Sequence, residues 1–362
     1  MANMTEKVMT VKGPIDPENL GITLMHEHLF MGGVFEFQPF LDINTSATAS
    51  DNWSEKLALE NMNLARQQEG AIEDVMFLDD EAIVVAEVSE FRDWGGSTIV
   101  DVTSIGIARD PRALLRVSNA TGLNIIMGCS WYVETSHPDN INTRTIEDLA
   151  DEIIRDITVG VGDTNIRSGI IGEVGIRGNP LSLNEIKIAR ASAWASRKAG
   201  AAISLHGGGQ GKEKLEIANI IKDEGGDLSR VIFGHSDAIA GNLSLMLDIL
   251  ETGAYIEFDL LGRSAVHLAM TRPISDNSFE MPLDYLSYSS TALVAYAIPN
   301  LIKAGFVDKI LLSQDVWTKI QLKHYGGTGY SFILETFLPH LRRLEVSEDD
   351  INKIIVENPK RI

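Results

Sequence analysis

The chain of 362 residues is short of cysteine, of positive charge and of long apolar runs. Its single cysteine, Cys129, excludes an intramolecular disulfide framework and a thiolate metal cluster built within one chain. Lys and Arg number 31 against 51 Asp and Glu, a formal charge of −20. That balance sets nucleic acid and anionic membranes aside as partners. No apolar run approaches the roughly 20 residues of a bilayer span, and Met1 to Lys7 show no apolar stretch of the secretion-signal kind behind their charge. The expectation is a cytoplasmic protein that acts on small molecules.

An apolar share of 44% and a charged share of 23% are those of an ordinary globular chain. By length alone two or three domains of about 150 residues would fit, but one α/β barrel with its loops occupies roughly 250 residues or more. Eight short β-branched, apolar runs return along the chain: 21–26, 97–103, 123–130, 169–174, 201–206, 230–235, 253–258 and 309–315. Amphipathic stretches separate them, at 110–121, 145–158, 182–198, 212–222, 242–251 and 291–304. Near-continuous apolar strands such as Ser97 to Val102 suit a parallel sheet covered on both faces. A doubly wound sheet would carry a Gly-rich turn after its first strand, and the chain has none there. The spacing therefore predicts a (β/α)8 TIM barrel spanning 1–362 as a single domain, with long loops 31–78 and 261–290 over the C-terminal mouth of the strands.

Chemistry-bearing residues gather at the strand ends. His26 closes the first strand and His28 follows two residues on; His206 closes the fifth and His235 the sixth. Glu173 lies near the end of the fourth and Asp315 ends the eighth. A parallel barrel brings all these ends to one mouth. One strand-end histidine is more often a satisfied interior residue than a ligand. Four imidazoles and two carboxylates together exceed what one tetrahedral ion needs, and two divalent cations fit better. In a strand, His26 and His28 share a side and Glu27 turns the other way.

These residues sit in segments that resemble the phosphotriesterase-related branch of the amidohydrolase superfamily over nearly the whole chain. The segments are Thr23-Leu24-Met25-His26-Glu27-His28-Leu29, Gly172-Glu173-Val174-Gly175, Leu205-His206, Gly234-His235, Phe258-Asp259-Leu260-Leu261-Gly262, Leu312-Ser313-Gln314-Asp315-Val316 and Tyr325-Gly326-Gly327-Thr328-Gly329-Tyr330. The resemblance implies a barrel hydrolase with two divalent ions, zinc first and Mn, Co or Fe as alternatives. It implies His26, His28 and Asp315 on the more buried ion, His206 and His235 on the more exposed one, and Glu173 as the bridge. The well-known phosphotriesterases and lactonases bridge with a carboxylated lysine; residues 169–178 contain no lysine, so the likeness is to the glutamate-bearing relatives. Gln314 stands where relatives often have His or Asn.

The expected reaction is hydrolysis by a hydroxide shared between the ions, with Asp315 as acid and base. The expected enzyme is a binuclear metal-dependent hydrolase of ester bonds. Lactones and carboxylic esters come first as substrates, small amides second and phosphotriesters third. A one-ion deaminase-type enzyme would leave Glu173 without a role, and a non-catalytic binding barrel would leave the ligand set without one. Trp131 and Tyr132 are expected as an aromatic wall, and Arg263 as a cation for an anionic group of the substrate. The run Gly207 to Lys212 misses a phosphate loop, since His206 takes the place of its first glycine and Glu213 that of its Ser/Thr. Cys129 is expected to pack, and His137, His324 and His340 to lie in loops or on helix faces; of the remaining histidines only His267 could reach the site. The aromatic first loop suggests a homodimer.

Overall fold

The computed structural model describes residues 7–32, 53–67, 69–177, 180–207, 211–263 and 291–362. Two short strands, β1 (Val8–Thr10) and β2 (Gly13–Ile15), pair antiparallel at the start. Among the described residues eight parallel strands follow: β3 (Ile22–Glu27), β4 (Gly96–Asp101), β5 (Asn124–Met127), β6 (Ile171–Ile176), β7 (Ile203–Gly207), β8 (Val231–Phe233), β9 (Tyr255–Phe258) and β10 (Ile310–Leu312). Each falls within one residue of the periodic runs of the sequence or extends two beyond. They form two arcs, β3-β4-β5 and β10-β9-β8-β7-β6.

Backbone hydrogen bonds join the arcs at both seams. Asp315 and His28 donate across the first, to the carbonyls of His26 at 3.2 Å and Val316 at 3.3 Å. Gly169 and Gly172 donate across the second, to Met127 at 2.9 Å and Cys129 at 2.7 Å. The ring closes as a (β/α)8 barrel. The helices include α1 (Met62–Gln67), α2 (Glu81–Asp93), α3 (Pro111–Thr121), α4 (Ile146–Thr158), α5 (Leu183–Ala199), α6 (Lys212–Asp223), α7 (Leu243–Glu251) and α8 (Thr291–Lys303). Local chemistry sets their starts: Ser182 and Glu185 form a reciprocal capping box on α5, and Thr145 and Asp148 do the same on α4.

The barrel is filled below the site. Leu20, Met25, Val100, Val102, Ile126, Ile170, Ala202, Ile232, Tyr255 and Leu311 form one buried cluster drawn from all eight strands or the residues that flank them. Val8, Ile15 and Ile362 pack against it, so the hairpin of β1 and β2 covers the floor. Each fully buried Val, Leu or Ile contributes about 1.5–3 kcal/mol, which makes the floor a rigid base for the polar layer above. A second, larger cluster joins barrel to helices and includes Cys129, whose thiol burial pushes up to about 12. Cys129 packs, as expected.

Of the loop expected at 31–78, residues 33–52 and 68 lie outside the described residues; the rest carries α1 and two 3-10 turns. This part is tied down by ion pairs from buried Asp74 to Lys319 at 2.9 Å and to Lys56 at 2.6 Å. Nearly all of the loop expected at 261–290, with His267, lies outside the described residues. Among the described residues no helix is long and apolar enough to cross a membrane.

Candidate metal centre

The mouth of the barrel brings His26, His28, Glu173, His206, His235 and Asp315 together, all buried. Glu173 is at the centre. Its Oε2 lies 3.2 Å from His26 Nε2, 2.9 Å from His206 Nδ1 and 3.8 Å from His235 Nε2, while its Oε1 lies 3.3 Å from His28 Nε2. Asp315 Oδ1 completes one side, 3.3 Å from His28 Nε2 and 3.9 Å from His26 Nε2. Among the described residues three donor groups form here, His26 with His28 and Asp315, Glu173 with His206 and His235, and His26 with His235 and Asp259; within each, the donor atoms lie within 4.8 Å of one another.

A layer of hydrogen bonds decides which ring nitrogen faces inward. The Thr103 hydroxyl has one proton and donates it to the carbonyl of Phe30 at 3.2 Å, so it accepts from His28 Nδ1 at 2.9 Å. In the neutral ring the lone pair of His28 is then on Nε2, the nitrogen that faces Glu173 and Asp315. Asp259 does the same for His235, accepting from Nδ1 at 2.8 Å and from its backbone amide at 3.0 and 2.9 Å. Asp237 holds Asp259 in turn, accepting from its amide at 2.9 Å. Partners of this kind orient metal-binding imidazoles generally.

Two of the six adopt backbone that non-glycine residues rarely adopt. His235 has φ +50° and Asp315 φ +47°. The amide bonds to Asp259 hold the first. For the second, the buried carboxylate of Glu27 accepts from the Ser313 hydroxyl at 2.7 Å and from the amides of Gln314 and Val316, both at 2.8 Å. Glu27 turns away from its flanking histidines, as strand alternation requires, and clamps the loop on either side of Asp315.

The donor chemistry fits divalent cations. Neither ring nitrogen of His26 makes a hydrogen bond, though both are buried and face carboxylate oxygens at 3.2–3.9 Å. Imidazole nitrogens and carboxylate oxygens without thiolate match first-row ions of the zinc type. Charge within the cluster reads the same way. Burial opposes charge on both carboxylates, yet His206 and His26 hold Glu173 well below the usual carboxylate range, and the Arg263 guanidinium and His28 hold Asp315 down. Burial lowers His28, but the carboxylates of Asp315 and Glu173 outweigh it and raise it to about 10.

A pH dependence follows. Below pH 10 the metal-free His28 carries a proton that a cation must displace, so affinity should rise about tenfold per pH unit for each proton released. Zinc titrations at pH 6, 7 and 8 check this; an affinity independent of pH would contradict it. The folded value lies above the ordinary 6.5. Its contribution to the stability of the metal-free fold is therefore complete below about 6.5 and lost as pH rises through about 10.

The other expected site residues are placed as follows. Tyr132 stands edge-on to His206, ring centres 4.9 Å apart. Trp131 is buried in the larger cluster, with the Arg144 guanidinium 5.3 Å from its ring centre. Arg263 donates to Asp315 Oδ2. Thr103, Asp237, Asp259 and the clamp role of Glu27 are not apparent from strand ends alone.

The model of the Phosphotriesterase family matches residues 6–362. An N-acetyltaurine hydrolase of Dictyostelium discoideum is 36% identical over 378 residues, covering 99% of both chains. One of Tetraodon nigroviridis is 32% identical over 361 residues, covering 99% of this chain and 98% of the relative. A resiniferatoxin-binding protein from Rhodobacter sphaeroides superposes with a TM-score of 0.86 at 31% identity, covering 98% of this chain and 94% of that one.

Proposed function

The chain belongs to the phosphotriesterase family, and from that footing we propose that it is a two-cation hydrolase of a small N-acyl amide whose amine part carries an anionic group. The observation that carries the reading is the Glu173 carboxylate, which lies within 3.8 Å of ring nitrogens of His26, His28, His206 and His235 at one barrel mouth. Cations held by His26, His28 and Asp315 and by Glu173, His206 and His235, zinc first, would supply a hydroxide at neutral pH and polarise the scissile carbonyl. Every other part of the work falls to side chains already in place.

Asp315 accepts the proton released on attack and delivers it to the departing nitrogen. An amine leaves only once protonated, so an amide needs this transfer more than an ester does. Thr103 and Asp259 keep the imidazoles of His28 and His235 in the required tautomer. Tyr132 walls the mouth beside His206. Arg263 presents a planar fork of donors suited to a carboxylate or sulfonate.

Lactones and esters, first in the expectation from sequence, are attacked at the same kind of carbonyl carbon. The amide is preferred because full-length relatives at 30–36% identity are named N-acetyltaurine hydrolase, and the amine part of N-acetyltaurine ends in a sulfonate. Replacing Arg263 tests the anion requirement. A charged hydrogen bond contributes about 1.5–3 kcal/mol, so Arg263→Met should raise KM for an N-acetyl aminosulfonate about 10- to 100-fold and change that for a neutral acetamide far less. An equal change for both would overturn the assignment.

A further inference from the structure

Lys214 reaches the strand ends from the first turn of α6. Its side chain is 2% exposed, and its Nζ donates to the carbonyl of Gly234 at 2.5 Å. Gly234 precedes His235, and its own amide donates to Leu205, the residue before His206, at 3.0 Å. In a parallel ladder the next rung would run from the amide of Gly207 to that same Gly234 carbonyl. The ammonium stands at that rung. Gly207 follows His206 and leaves the room for it, because a Cβ there would collide with the Lys214 ammonium. The wedge thus sits between the two strand ends that carry His206 and His235.

Charge supports a role beyond packing. Burying an ammonium costs several kcal/mol unless it is compensated, and a methionine would fill the same volume without that cost. Burial holds the Lys214 ammonium below its usual range, and the groups that oppose this are Glu213, Asp259 and Asp237. Asp259 holds Nδ1 and the amide of His235, and Asp237 holds Asp259.

We propose that Lys214 is the positioning residue of the cation site formed by Glu173, His206 and His235, setting the separation of their strand ends and offsetting the carboxylates that hold His235. The proposal rests on the two-cation reading above. It predicts a selective effect: the site of His26, His28 and Asp315 lies on other strands and keeps its ion.

The test uses the full chain as wild type, Lys214→Met and Gly207→Ala, the last displacing the flexible ammonium tip while the lysine remains. Each is loaded with Mn²⁺ and dialysed against a chelator series, then read for metal per chain and for the exchange-coupled resonance of paired Mn²⁺. Wild type should hold about two ions. Both variants should release one of them at about 10- to 100-fold lower chelator concentration, losing the paired signal and keeping the other ion. If Lys214→Met does not fold, Gly207→Ala decides. Variants that hold two ions as tightly as wild type, or that lose both together, overturn the proposal. A wild type with one ion or none overturns the two-cation reading and the proposal with it.

Discussion

Asp315→Asn is expected to lower kcat for amide hydrolysis by about 10³- to 10⁴-fold, the upper range for removing a general acid and base that is also a ligand. The substitution is suited to the site. Asparagine tolerates the left-handed backbone that Asp315 adopts at φ +47°, so the loop clamped by Glu27 keeps its path. Volume is kept; the negative charge, one of the two acceptor oxygens and the capacity to take a proton are lost. Steady-state kinetics on a small N-acyl amide, with metal content measured on the same sample, separate chemistry from metal loss. A fall of less than tenfold would show that the proton moves elsewhere.

Glu173→Ala should be as severe by a different route. Repulsion between two divalent cations scales with the product of their charges, four times that of a monovalent pair, and the Glu173 carboxylate is an anion within 2.9–3.8 Å of ring nitrogens of His26, His28, His206 and His235. Without it, metal content should fall from about two ions per chain to one or fewer, with activity reduced by at least about 10³-fold. In the metal-free form the variant also leaves the buried imidazoles of His26 and His28 without a carboxylate that raises them, which should destabilise the fold by about 3–5 kcal/mol. Elemental analysis after dialysis checks the first effect and denaturant unfolding the second. Retention of both ions would remove Glu173 from the bridge.

The barrel was legible because each strand is a short β-branched run buried on both faces, a pattern that survives without knowledge of partners. The hairpin of β1 and β2 was not, since three-residue strands carry no measurable period. At the site, five of the six buried donors were visible because each lies at or just past a strand end, and topology alone brings strand ends together; Glu173, expected near the end of its strand, lies in the middle of β6. The layer around them was not. Whether Asp259 faces His235 or solvent depends on contacts across 24 positions, and Thr103 meets His28 across 75. No local spacing encodes either. Trp131 and Tyr132 show the limit within one dipeptide: adjacent residues point to opposite sides, so Tyr132 meets His206 while Trp131 lies under Arg144.

The most direct test is the kcat/KM of the metal-loaded chain for an N-acetyl aminosulfonate, measured beside a lactone, a carboxylic ester and a phosphotriester, before and after chelation. The account predicts that the anionic amide is the best substrate, that acetate is released, and that chelation abolishes the activity while restored metal returns it. No acetate from the metal-loaded protein, or a rate that chelation leaves unchanged, would contradict it.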